Sequence, residues 1–153
     1  MNEQKIYELM NSNLGFYLAT MDGDQPRVRG MMLFKADKDG IIFHTASTKD
    51  VYKQLQKNPK AELCFNANGV QIRVTGEIEV STDEKLREDI FSHPTRKFLQ
   101  AWKENGIDNL LTVLVMRKCE AVMWTMETNF EPKKVISICN GMMIKYTVHS
   151  LQQ

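Results

Sequence analysis

The sequence describes a mainly β protein, an antiparallel β-barrel carrying accessory helices. Three features lead there. Short apolar runs recur at hairpin spacing around Asp22-Gly23-Asp24, Asp37-Lys38-Asp39-Gly40 and Asn66-Ala67-Asn68-Gly69, and Asn-Gly or Asp-Gly steps supply the positive φ of tight hairpins. The run Val70–Val80 alternates, with Val70, Ile72, Val74, Ile78 and Val80 on one face and Gln71, Arg73, Thr75, Glu77 and Glu79 on the other, the period of a half-buried strand. Helical spacing is confined to short segments between such runs, a pattern that fits a barrel with insertions better than a parallel α/β sheet. The 153 residues contain no repeat, no low-complexity segment and no dividing linker, so one domain spans residues 1–153, with a core from about 14 to 127 and a hairpin or tail from 128 to 153.

Ile6, Leu9, Met10 and Leu14 fall at helical spacing over residues 2–13, with Gly15 as the residue ending that helix. Phe16–Met21 follows as a strand, then Arg27–Ala36 as a second strand with Gly30 at its centre, then Ile41–Thr45. Joined by tight turns, these three make an antiparallel meander. A short amphipathic helix carrying Val51 and Leu55 stops at Asn58-Pro59, because the residue before proline is pushed out of the α region. Ala61–Phe65 and Val70–Val80 form a hairpin, and Gly76 leaves room for a bend. Ser81–Glu84 opens a helix reaching about Phe91, and Ser92-His93-Pro94-Thr95 ends it and starts another that closes at Asn105-Gly106. Leu110–Met116 and Ala121–Met126 are strands linked through residues 117–120, and Val135–Ile138 with Met142–Val148 reads as a last hairpin.

Composition excludes several classes. Lys plus Arg number 20 against 19 for Asp plus Glu, whereas a nucleic-acid binder wants a basic face. No apolar run is long enough for a transmembrane helix, and the polar start MNEQKIYELMNSN has neither the basic end nor the apolar middle of a signal peptide. Cys64, Cys119 and Cys139 are odd in number and form no CxxC, which fits buried reduced thiols in the cytoplasm rather than disulfides or zinc. There is no GxSxG, HExxH, GxGxxG or P-loop, and His44, His93 and His149 have no nucleophile beside them by motif. What is left suits a barrel whose chemistry belongs to a bound cofactor.

The stretch IIFHTASTKDVYKQLQKNPKAELCF, residues 41–65, is where such a group would be held. A strand runs into the hydroxyl-rich turn Thr45-Ala46-Ser47-Thr48 and Lys49, and a helix follows. Turn hydroxyls, the free N–H groups of the first helical turn and a lysine can converge on one phosphate. The alternative is that Thr45–Thr48 only caps the helix.

Three segments in order, RVRGMMLFK, IIFHTASTKDVYKQLQKNP and VQIRVTGEIEV, resemble the pyridoxamine 5′-phosphate oxidase-like proteins of the FMN-binding split-barrel fold. The resemblance runs from about Phe16 to Trp124. It implies a six-stranded Greek-key split barrel, a homodimer acting on a small-molecule substrate, and two FMN sites formed between the subunits. Carried across by position, it implies FMN contacts from Arg29, Gly30, Met31 and Met32, from His44 and Thr45 beside the ribityl and phosphate groups, from Ser47, Thr48 and Lys49 at the phosphate, and from Gln71 and Trp124. Where the family has an Arg-Lys pair, this chain has Thr48-Lys49, one bidentate fork fewer, for which Arg27 or Arg29 can compensate. After Trp124 the chain reads TMETNFEPKKVISICNGMM, without the arginine and histidine that bind substrate in the vitamin B6 enzymes. The expectation is therefore an FMN-dependent oxidoreductase other than a true pyridoxamine phosphate oxidase. The alternatives are a binding protein for FMN, heme or F420 on the same barrel, or a cofactor-free interaction module.

Overall fold

Helix α1, Glu3–Ser12, opens the structure, a computed structural model that describes residues 1–141. Asn2 accepts the Lys5 N–H at 2.9 Å to cap it, and Ile6, Tyr7, Leu9 and Met10 form its buried face. Gly15 does not end this helix. It begins strand β1, Gly15–Asp22, opposite Met32 of β2, Gln25–Met32.

The expected strand over 27–36 is two strands. β2 stops at Met32, and β3 covers Lys35–Asp37. Between them Leu33 donates its N–H to the carbonyl of Leu14, just before β1, at 2.7 Å, while Phe34 donates to Ile42 at 2.8 Å, so adjacent residues bond in different directions. Leu33 is fully buried at this corner. The meander consequently resolves into two hairpins, β1–β2 and β3–β4, with β4 spanning Gly40–Ala46. Helix α2, Asp50–Lys57, follows, burying Val51 and Leu55 before the Asn58-Pro59 stop.

The spine is β6, Val70–Val80, paired along one edge with β5, Lys60–Ala67. Its other edge has two partners. Gln71–Thr75 pairs with β8, Cys119–Trp124, whereas Ile78–Val80 pairs with β7, Leu111–Met116. Gly76 stands at the fork, where a Cβ would come within 3.0 Å of the Cys119 Cβ and 3.1 Å of the Met116 sulfur. The sheet thus splits at the glycine read as a bend. The strand order is β2-β1-β5-β6-β7-β4-β3, with β8 branching from β6, a split antiparallel barrel. β9, Val135–Ile138, pairs with β8, and the expected second arm of that hairpin, 142–148, lies outside the described residues.

Two apolar clusters fill the fold. The larger lies between α1 and the sheet, where Phe16 stacks on Phe65 at 4.8 Å and meets Phe43 edge-on at 5.2 Å, contacts worth about 0.5–1.5 kcal/mol each beyond area burial. The smaller joins Ile42, Val113 and Val115 to helices α3, Glu84–Ser92, and α4, Leu99–Glu104. Asp83 caps α3 by accepting the Leu86 N–H at 3.1 Å. On β6 the alternation holds for Ile72, Val74 and Ile78, all buried, but Val80 is exposed. Cys119 and Cys139 are buried, Cys64 is half-buried, and all three are free thiols.

Candidate functional site

The residues singled out in the sequence occupy three places. The first is an open groove of about 1140 Å³ between the β1–β2 hairpin and α2. Arg27, Arg29, Lys49, Lys53 and Lys57 line it, against the carboxylates Asp22 and Asp50. β2 places Arg27 and Arg29 on one face by its two-residue period, and Lys49 at the N-cap of α2 with Lys53 and Lys57 lie along one side by their four-residue spacing. Asp22 is claimed by Arg27, whose Nε lies 3.4 Å from its Oδ2. Arg29 is held by neutral acceptors: Nη1 donates to Thr20 Oγ1 at 2.7 Å and to the Leu18 carbonyl at 3.3 Å, and Nη2 donates to Gln54 Oε1 at 2.6 Å. Burial, with help from the Arg27 charge, pulls the Arg29 pKa below its ordinary value, yet a guanidinium stays charged. Its position is fixed by these bonds, and the Asp50 carboxylate in the same groove partly offsets its charge.

Lys49 is the N-cap residue of α2, and its side chain makes no cap hydrogen bond. The turn is closed by backbone instead, through Lys49 N–H to the Ala46 carbonyl at 2.9 Å and Ser47 N–H to Leu110 at 2.9 Å.

The second place is the outward side of β4. His44 Nε2 accepts a hydrogen bond from Arg96 Nε at 2.9 Å. Arg96 is fully buried, with Nη2 donating to the Leu33 carbonyl and Nη1 to Thr95 Oγ1, both at 2.9 Å. Its guanidinium also lies 5.5 Å from the centre of the Phe34 ring. Burial first, and the Arg96 charge second, lower the His44 pKa to about 4. At neutral pH His44 is uncharged, and because Nε2 accepts, the ring proton sits on Nδ1. Sequence reading missed Arg96. Its only signal was an arginine directly after the Ser92–Thr95 helix break, which gives no hint of full burial. Thr45, next on the strand, pairs with Thr112 of β7.

The third place holds Gln71 and Trp124, which face each other across β6 and β8. The Trp124 indole N–H donates to Asn129 Oδ1 at 2.8 Å. Arg29 stands in the row Arg29–Leu18–Leu63–Val74, three strands and three residues from Gln71. That is about 14 Å across the sheet and about 10 Å along it. One chain does not bring Gln71 and Trp124 to Lys49. On β2, Met31 packs against the larger core, while a Cβ on Gly30 would meet nothing within 4 Å. Gly30 opens onto an outer sheet face where Val28 is 68%, Tyr17 57% and Met32 40% exposed.

Among the described residues no three of His, Cys, Asp and Glu gather as metal ligands, and no helix is long and apolar enough to cross a membrane. The donor set of the groove, cations with amide and hydroxyl partners, fits a phosphate monoester.

Residues 3–123 match the family model of pyridoxamine 5′-phosphate oxidase. A pyridoxine/pyridoxamine 5′-phosphate oxidase of Pelagibacter ubique is 31% identical over 105 residues, 67% of this chain and 50% of that protein. The corresponding protein of Rhizobium meliloti is 32% identical over 88 residues, 56% of this chain and 43% of its own length. The chain spans about half the length of such curated relatives. A NimC/NimA family protein of Clostridium acetobutylicum superimposes with a TM-score of 0.69 at 25% identity, over 90% of this chain and 94% of the other. A pyridoxamine 5′-phosphate oxidase-related, FMN-binding protein of Nostoc punctiforme gives 0.62 at 16%, over 88% and 95%, and a heme-binding protein of Mycobacterium smegmatis 0.64 at 13%, over 84% and 55%. With 121 consecutive residues under the family model and the split barrel in common with these structures, the chain belongs to the pyridoxamine 5′-phosphate oxidase family.

Proposed function

We propose that the protein is an FMN-binding flavoprotein, an oxidoreductase that passes reducing equivalents between a reduced donor and a small-molecule acceptor. The observation that carries this reading is the groove along α2, where five cations, from Lys49 at the start of the helix to Lys57 at its end, stand against two carboxylates. A phosphate there gains the positive end of the helix, free N–H groups and Lys49. Arg29 supplies a second, pre-positioned charge through its bonds to Thr20 and Gln54. Bound FMN supplies the redox chemistry; the chain holds and orients it. His44, neutral and bonded to Arg96, stands outside this groove.

The family resemblance puts Gln71 and Trp124 on the same cofactor, and the sheet separates them from Lys49. A second copy reconciles the two. The face bearing Val28, Tyr17 and Met32 is apolar and exposed, and large exposed apolar patches mark interaction surfaces. A homodimer pairing these faces gives each phosphate groove a Gln71 and a Trp124 from the other subunit. Heme ligation through His44 has less support, since its Nε2 is already an acceptor for Arg96.

The test is an absorption spectrum of purified protein after incubation with FMN and desalting, with the mass measured in solution. Retained flavin bands on a dimer support the reading. A colourless protein that retains no FMN overturns it.

A further inference from the structure

A separate recess of about 250 Å³ opens on the outer face of the sheet, between β6, β8 and the segment 125–134. Arg73, Val122 and Trp124 contribute to its walls, together with Thr128, Lys133 and Lys134. Arg73 shares the outer face of the sheet with its register neighbours Cys64 and Val122. Its Nε is the one buried side-chain nitrogen or oxygen among the described residues that has no hydrogen-bond partner. No ion pair engages Arg73 among those residues either.

The other polar groups of the recess are already engaged. Trp124 donates to Asn129, the Thr125 and Thr128 hydroxyls bond each other at 2.9 Å, and backbone N–H groups of Thr128, Asn129 and Glu131 close turns within the segment. Among the described residues what remains uncommitted is cationic: the Arg73 fork, Lys133 and Lys134, with Met1 also on the wall and Glu131 as the carboxylate opposing them. A buried guanidinium N–H without an acceptor is costly, and its planar fork matches the two oxygens of a carboxylate or phosphate. Val122, Met123 and Trp124 add an apolar side, and the volume is at the small end for ligand pockets.

We propose that this recess binds the carboxylate or phosphate of a small organic anion, anchored by Arg73, and that the protein's substrate belongs to that class. The assignment of the anion as substrate rests on the flavoprotein reading, because Trp124 is common to the recess and to the implied cofactor contacts; the binding itself does not.

The experiment follows the Trp124 indole N–H by NMR on the full chain, assigned by loss of the other signal in Trp102→Phe. Inorganic phosphate and succinate are titrated separately at fixed ionic strength. A saturable shift with either is expected, and the better ligand tells phosphate from carboxylate. Arg73→Gln should raise the half-saturating concentration about tenfold or more, and Lys134→Gln about threefold, in line with losing a charged hydrogen bond or one neighbouring charge. A shift that does not saturate, or Arg73→Gln and Lys134→Gln titrating like the parent, overturns the proposal. FMN retention is measured on the same wild-type sample. Saturable anion binding without FMN retention overturns the flavoprotein reading alone, and FMN retention without anion binding overturns the recess alone.

Discussion

Replacing Lys49 by alanine isolates the charge that the phosphate reading needs most. Lys49 is exposed and enters no ion pair among the described residues. Its side chain does not cap α2, and its backbone bond to Ala46 survives truncation. The folded protein should therefore lose little, within about 0.5 kcal/mol for a surface substitution away from caps and cores. FMN binding should lose much more. A hydrogen bond to a charged group contributes about 1.5–3 kcal/mol. Lys49 is open to solvent and its field is screened within roughly 8 Å at physiological salt, which puts it at the lower end. A loss of about 1.5–2 kcal/mol weakens FMN by about 10–30-fold. Quenching of FMN fluorescence on titration with protein measures it, at low and at physiological salt. Lys57 lines the same groove at the far end of α2, where the helix dipole no longer favours an anion. Lys57→Ala is the internal control and should cost less than about threefold, as for a distant screened charge. If Lys49→Ala binds FMN within twofold of the parent, or if Lys57→Ala is the more damaging change, the phosphate does not sit at the start of α2.

Three further outcomes follow from other parts of the fold. His44 resists protonation in the folded state, with its pKa at about 4 against about 6.5 in the unfolded chain. The unfolded state therefore binds more protons between these values, and stability falls as pH drops through that window, by about 2 kcal/mol at pH 5 from this group. Urea midpoints at pH 7 and pH 5 should lie measurably closer together in His44→Gln, and an unchanged pH slope refutes the assignment. Gly76→Val forces a side chain to within 3.0 Å of Cys119 Cβ and 3.1 Å of the Met116 sulfur. Overpacking of this kind costs about 1–3 kcal/mol, read as a lower urea midpoint; equal stability would mean that the fork between β7 and β8 does not need a glycine. Tyr17→Glu places a charge in the exposed apolar face. Sedimentation should report a monomer that no longer retains FMN, whereas a dimer holding its flavin would separate this face from the subunit contact.

The local rules of the chain were legible because they depend on neighbours in sequence. Asp22-Gly23, Asn68-Gly69 and the alternation of β6 specify hairpins through positive φ and a two-residue period, and the structure has those hairpins. Gly76 was readable as a bend, but not as the point where one strand edge exchanges β8 for β7, because that depends on residues more than 35 positions away. The break at Leu33-Phe34 left no signal for a related reason. Both residues are apolar and fit a continuing strand, and only their hydrogen bonds to Leu14 and Ile42 reveal the corner. Arg96 was invisible on the same account: a charge reads as surface until His44, Leu33 and Thr95 are found around it.

The substitution at Thr48 acquires a physical meaning from the groove. The resemblance implies an arginine before the lysine, and in the proposed reading its absence leaves the phosphate one fork fewer. Either Arg27 or Arg29 was expected to compensate, and the two are not equivalent. Arg27 is partnered by Asp22, both more than half exposed, so its charge is partly answered and freely screened. Among the described residues Arg29 hydrogen-bonds neutral oxygens, from Leu18, Thr20 and Gln54, and feels Asp50 through space, and Gln54 belongs to the helix that Lys49 begins as N-cap. Its side chain is therefore already ordered, and an anion meets it without the entropy cost that a free arginine would impose. In the proposed reading Arg29, held by Gln54 of α2, is the charge that keeps the groove cationic while Thr48 stays a hydroxyl.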